Sequence, residues 1–288
     1  MTIATDLQSA IRSEPATISQ APAAKPRPLR RLPVQKLWPA WQIGLVQVGL
    51  LIVLLALWEI GARTGMVDAF FWSMPSAVGH SLVLFFTEGN AWLDIGVTFE
   101  ETLLGFIIGT SIGAAIGLSF WWSRNYAAVM QPYVICFESI PKLALAPLVI
   151  LVFGMGLPSK VAIATALTLI VTTLTVGAGV KAVDRDSEKL FYSLGASRLQ
   201  VFLKLVVPSC LPWIISILRV NIGLALTGAV VGEFIASEHG LGREIFYAGS
   251  TYDIALVWVA VLVLSTLSIL MYAGVAWLEK VLRKGVVH

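Results

Sequence analysis

LGASRLQVFLKLVVPSCLPW, Leu194 to Trp213, is the stretch on which the reading of the whole chain turns. It lies within the interval Asp184 to Glu233, where charged and apolar residues mix between segments nearly free of charge. Such an interval reads as the water-facing loop of a membrane protein, the place where soluble partners are met. Gly195 supplies a tight turn, and Ser197 with Gln200 three positions later has the form of a capping box opening a helix from about Arg198 to Val207. On that helix Val201, Phe202, Leu205 and Val206 gather apolar surface, while Arg198, Gln200 and Lys204 stay polar. Pro208 and Pro212 are expected to stop or kink it. The expectation is a pair of short amphipathic helices, about Ser187 to Ser193 and about Arg198 to Val207, lying parallel to a membrane surface.

Composition supports that setting. Hydrophobic residues make up 57% of the 288 and the mean hydropathy is +0.84. Charged residues are 13%, against about a quarter in soluble chains, so the chain reads as an integral membrane protein. A net charge of +3 gives no reason to expect nucleic acid as a partner.

Six spans are expected, at about Ile43 to Ala62, Val97 to Phe120, Ala127 to Phe153, Val161 to Val180, Trp213 to Ile235 and Ile254 to Trp277. Residues 1–42, with the basic cluster Lys25, Arg27, Arg30, Arg31 and Lys36, read as a disordered cytoplasmic arm. The 43–279 stretch is then the transmembrane domain and 280–288 a cytoplasmic tail. Lys181, Arg185, Lys189, Arg198 and Lys204 follow the fourth span, so the positive-inside rule puts the 184–207 loop and both termini in the cytoplasm. A short amphipathic helix is expected at Ser76 to Phe86, a short external turn at Gly154 to Lys160, and an external loop or re-entrant segment at Ser237 to Asp253.

Within the spans, Gly105, Gly109, Gly113 and Gly117 recur every fourth residue and offer one smooth face for close helix packing. Glu138 and Lys142, four apart, can pair, and charges at membrane depth mark either a solute pathway or a structural pair. Thr172, one of five threonines in the fourth span, and Arg219 and Glu233 in the fifth are further candidates for pathway or packing roles.

Several chemistries are excluded. No GxxxxGK[ST] run occurs, so nucleotide hydrolysis is not expected of this chain. His80, His239 and His288 are far apart, none lies in a span, and no metal cluster or Ser–His arrangement can be argued from them. Cys136 and Cys210 are isolated thiols. A secondary transporter would need broken helices in two related halves. A non-transporting scaffold would leave the capped amphipathic loop without a purpose.

Leu194, Gly195, Ala196 and Ser197, the prolines at 208 and 212, Arg219, and Gly232, Glu233, Gly240, Leu241 and Gly242 together resemble the signature loop and following helix of bacterial binding-protein-dependent ABC importer permeases. The resemblance runs from roughly Ile43 to Glu279 and takes in PKLALAP at Pro141 to Pro147, Gly154 to Gly156, and Lys160. It is closest to the branch carrying nitrate, taurine and other sulfonates, bicarbonate or pyrimidine precursors. It implies an all-α, six-span type I importer fold in the bacterial inner membrane, built as a homodimer or a paralogue heterodimer. It also implies two cytoplasmic ATPase subunits that hold ATP and Mg, an extracytoplasmic solute-binding protein, and no cofactor on this chain. Leu194, Gly195, Ala196, Ser197, Phe202 and Pro208 would couple to the ATPase. In one respect the chain departs from the family: Lys189, Leu190 and Phe191 stand where these loops usually carry Glu-Ala-Ala. A sulfonate such as taurine, or nitrate, is the solute expected first, ahead of a pyrimidine precursor or an aromatic acid.

Overall fold

A computed structural model describes residues 39–286, and every element in it is helical. The arm expected at 1–42 falls largely outside the described residues. Contacts divide the chain between Leu50 and Leu51, inside the first helix α1 (Ala40–Arg63). There follow α2 (Ala69–Trp72), α3 (Pro75–Thr87), α4 (Ala91–Ser119) with a 3-10 turn at Phe120–Trp122, α5 (Arg124–Ser139) and α6 (Ala146–Phe153). The rest of the chain is α7 (Leu157–Lys181), α8 (Arg185–Ser193), the long α9 (Arg198–Ile235), α10 (Leu241–Ser250) and α11 (Ile254–Val286).

Among the described residues, six helical runs are long and apolar enough to cross a membrane, or seven if the α5–α6 pair counts as one broken span. One of the six, Ala69–Thr87, is interrupted where Ser73 takes φ 60° and Met74 is extended. Its longest continuous piece, α3, has 13 residues and is only about 20 Å long, well short of the hydrocarbon thickness.

The centre of the fold is a layer of three helices with α7 between α4 and α9. Glycine is what lets them approach. A Cβ on Gly105, Gly109 or Gly113 would run into Ala164, Thr168 or the Leu169 carbonyl of α7, and one on Gly117 would lie 2.8 Å from Val176 Cβ. With no side chain in the way, Thr168 Oγ1 reaches the Gly105 carbonyl at 3.2 Å and Thr173 Oγ1 the Gly113 carbonyl at 3.3 Å. In lipid, where apolar burial drives little association, such contacts decide which helices meet. Around this layer α3, α10 and α11 complete an apolar core that includes Phe85, Phe106, Leu218, Ile222, Leu241, Val259 and Val263.

Two expectations are corrected. The third span is not continuous: Ile140 and Pro141 leave the helix, and α5 and the Lys142–Phe153 segment meet at 74°. Pro141 lacks an N–H and forces its predecessor out of the α region, while Pro147 opens α6, where a missing donor costs nothing. Pro208 and Pro212 do not end the amphipathic helix. A π turn at Phe202–Val206 widens the coil, Val207 N–H reaches back to the Phe202 carbonyl, and the helix runs on unbroken into the fifth span. The segment 237–253, expected as a loop or re-entrant segment, holds the helix α10 over Leu241–Ser250, and α11 extends to Val286.

Candidate functional site

Two groups of residues stand out, one at each end of the α9 helix. At its start, Asp184 caps α8, accepting from the backbone N–H groups of Asp186 and Ser187 at 3.1 Å each and from Ser187 Oγ at 2.7 Å. The Ser187 hydroxyl, followed by those two N–H groups, holds the Asp184 carboxyl below the ordinary aspartate range. The cap therefore stays charged at neutral pH and is lost only as pH falls through that lowered value.

α8 ends in a paired closure: Ala196 N–H to the Phe191 carbonyl and Gly195 N–H to the Tyr192 carbonyl, both 3.0 Å, with Gly195 at φ 80°. Ser197 and Gln200 then form both halves of a capping box, at 3.3 and 2.7 Å. Two caps separated by one left-handed glycine fix the angle between α8 and α9.

This hairpin is anchored to the end of α4. Phe202 packs against Trp121 and Trp122, with ring centres 5.6 and 5.5 Å away. The Arg198 guanidinium lies 5.6 and 5.1 Å from the same two rings and donates to the Trp122 carbonyl. Trp121 Nε1 donates to Glu188 of α8. Trp121 and Trp122, which follow directly on α4, are what fixes the hairpin to that helix. Facing away from them, Leu190, Leu194, Leu199 and Leu203 are 55–77% exposed.

At the other end of α9 the logic reverses. Asp94, Thr98, Glu101, Lys160 and Glu233 are each at most 2% exposed. The first three N–H groups around the α10 N-terminus are received in turn. Gly240 donates to Asp94 Oδ1 at 2.8 Å, Leu241 to Thr98 Oγ1 at 2.9 Å and Gly242 to Glu233 Oε2 at 2.5 Å. Thr98 in turn donates to Glu233 Oε1 at 2.6 Å, and His239 Nδ1 lies 3.6 Å from Asp94. Carboxylates at a helix N-terminus also meet the positive end of its dipole. Lys160 donates to the Met155 carbonyl and interacts electrostatically with both Glu101 and Glu233. Glu101 Oε2 is buried without a hydrogen bond.

Between the two ends, Asn221 of α9 donates to Thr110 of α4 at 2.8 Å and Thr172 of α7 at 2.7 Å, all three side chains being buried. That contact ties the three-helix layer together and places Thr172 inside the protein rather than on any surface.

Of the residues singled out from the sequence, Leu194, Gly195, Ala196, Ser197 and Phe202 come together in the hairpin, while Pro208 sits within α9 beyond it. Glu138 and Lys142 pair at 3.0 Å across the α5 break, and Arg219 pairs with Glu279 at 2.7 Å. Glu233 is in the buried cluster. Its neighbours Asp94, Thr98, Glu101 and Lys160 were missed, although 94, 98 and 101 follow a helical i, i+4, i+7 stripe that would have put them on one face. Lys160, read as part of an external turn, is buried instead, with its ammonium donating to the Met155 carbonyl. Among the described residues no group of His, Cys, Asp and Glu could hold a metal ion.

Comparison with known proteins bears on both ends. Residues 102–284 match the family described as "Binding-protein-dependent transport system inner membrane component". The formylaminopyrimidine transport permease protein of Halalkalibacterium halodurans is 32% identical, covering 80% of this chain and 92% of its own. The riboflavin transport system permease protein of Chloroflexus aurantiacus is 30% identical (85% and 90%) and the taurine transport system permease protein of Escherichia coli 26% (84% and 90%). In fold the chain is similar to the MetNI methionine ABC transporter in an inward-facing conformation, with a TM-score of 0.58 at 16% identity, covering 68% of this chain and 96% of that one.

Proposed function

Because the chain belongs to the family of binding-protein-dependent transport system inner membrane components, a permease rather than a catalytic subunit, we propose that the α8–α9 hairpin is its lever for a cytoplasmic ATPase. The observation carrying this reading is the pairing of an anchored inner face, Arg198 and Phe202 on Trp121 and Trp122, with an exposed apolar outer face of Leu190, Leu194, Leu199 and Leu203. An apolar face held rigidly toward water is what a protein partner recognises. Arg124, Lys181, Arg185, Lys189 and Lys204 lie in or next to the segments at this end, which supports a cytoplasmic placement of it and of both termini, in a bacterial inner membrane.

Two copies, or this chain and a paralogue, form the pathway, and two ATPase subunits that hold ATP and Mg dock on the two levers. Their closure on ATP moves each hairpin as a body. The spans then open to the outside, where a solute-binding protein delivers its cargo. Gly195, Ala196 and Ser197 keep the lever's angle and the leucines make the contact. In place of the family's usual Glu-Ala-Ala, Lys189, Leu190 and Phe191 give this chain a cognate ATPase of its own.

For the solute, two relatives at 30% identity or above are named for a formylaminopyrimidine and for riboflavin, a third names no solute, and the taurine permease stands at 26%. That ordering favours a small polar nitrogen heterocycle over the sulfonate or nitrate suggested by the sequence. The test is copurification of the tagged chain followed by ATP-driven uptake into vesicles of the recovered complex with its binding protein. A P-loop ATPase and uptake of the heterocycle are expected. Recovery of the chain without an ATPase would overturn the lever, and uptake of taurine alone would return the solute to the sulfonates.

A further inference from the structure

Beside the hairpin, the ends of α4 and α7 and the start of α5 enclose a cavity of about 470 Å³. Its cations are Arg124, Lys181 and Arg185, its one carboxylate is Glu188, and that carboxylate already accepts from Trp121. Lys181 donates to Gln131 Oε1 at 2.7 Å, and among the described residues neither Arg124 nor Arg185 has an ion pair or a side-chain hydrogen bond. Three cations of which none meets a carboxylate, two of them without any partner, form an anion receptor with its donors free. The walls are apolar: Phe120, Ala127, Ala128, Val180 and Val183. Two spans, Ala91–Trp122 and Leu157–Lys181, end at this cavity, which puts it at the depth where lipid headgroups lie.

We propose that this cavity binds the headgroup phosphate of an anionic phospholipid, Arg124, Lys181 and Arg185 holding the phosphate oxygens and the apolar wall receiving the glycerol and the first acyl carbons. Basic pockets between spans at headgroup depth have this chemistry. A soluble anion would use the cations but gain nothing from the apolar wall. Glu188 and Trp121 belong both to this cavity and to the anchor of the hairpin, so the lipid would stiffen the hairpin where it meets the membrane.

The site can be tested with the purified full-length chain in a neutral detergent, following thermal unfolding while short-chain phosphatidylglycerol or phosphatidylcholine is added. Phosphatidylglycerol should protect at a concentration at least tenfold lower. Replacing Arg124, Lys181 and Arg185 one at a time by Gln should weaken that preference about fivefold per cation. All three are exposed, so the variants should keep the wild-type elution volume and helical content, and wild type alone still gives the lipid comparison. Equal protection by the two lipids, or a preference that survives the triple variant, would overturn the site. Equal protection by inorganic phosphate would make it a receptor for free anions instead. Loss of the preference once the ATPase is bound would assign the three cations to the subunit contact and refute the lipid site.

Discussion

The two ends of α9 are built on opposite rules. At the hairpin, apolar side chains are left exposed while caps and rings hold the backbone still. At the α10 end, five polar or charged side chains are shut away from water, and three of them, Asp94, Thr98 and Glu233, receive three backbone N–H groups. An exposed leucine face contributes little to folding and much to binding. A buried polar cluster contributes nothing to binding, and taking away one member leaves the others desolvated and unpaired. The first is a surface awaiting a partner, and the second is a brace that has found its partners internally.

The largest test of that contrast is at the brace. Glu233→Ala strands the Gly242 N–H, the Thr98 hydroxyl and Lys160, and should cost about 3–5 kcal/mol, read as a lower midpoint of thermal unfolding in detergent. Glu233→Gln, which still accepts from Gly242, should recover much of this loss. Lys160→Met removes a buried cation whose charge acts on Glu101 and Glu233 and should cost about 3 kcal/mol, with Glu101→Gln in the same chain restoring part of it. A stability change below about 1 kcal/mol in either variant would mean that water, and not these partners, satisfies the cluster.

The anchor is intermediate. Phe202→Ala loses contact with two indole rings and should cost about 1–2 kcal/mol, together with a fall in coupled ATP hydrolysis in the reconstituted complex. Wild-type coupling in that variant would separate the aromatic contact from the lever. The smallest stability effect is expected at the outer face. Leu199→Glu should leave the unfolding midpoint within about 0.5 kcal/mol while weakening ATPase binding about tenfold. If it destabilised the isolated chain as much as Phe202→Ala, the outer face would be part of the fold and the contrast between the two ends would fail.

The hairpin was far more legible in the sequence than the brace, for a physical reason. Caps, a left-handed glycine and an amphipathic face are local, so Gly195, Ser197 and Gln200 announce them within a few residues. The glycine quartet is also local in period, and its register along α4 points to a close neighbour without naming α7. The brace joins residues 94, 98, 101, 160, 233 and 240–242 across four helices. A stripe at 94, 98 and 101 hints at one face, but nothing nearby says that Lys160 and Glu233 complete it. Pro208 misled because proline ordinarily ends a helix. The π turn before it lets Val207 reach the Phe202 carbonyl, and that rearrangement of backbone bonds leaves no trace in composition or period.

That wide turn has a mechanical meaning. Since the coil is not severed at Pro208, the capping box at Ser197 and the carboxylate of Glu233 sit near the two ends of one helix, Arg198–Ile235, of 38 residues, about 57 Å long at 1.5 Å per residue. The hairpin proposed to meet the ATPase and the part that locks α4, α7 and α10 together therefore belong to a single helix. A tilt of about 5° about one tip would carry the other by about 5 Å, comparable with one turn of helix. If the proposed docking on the leucines tilts this helix, Glu233 is carried with it.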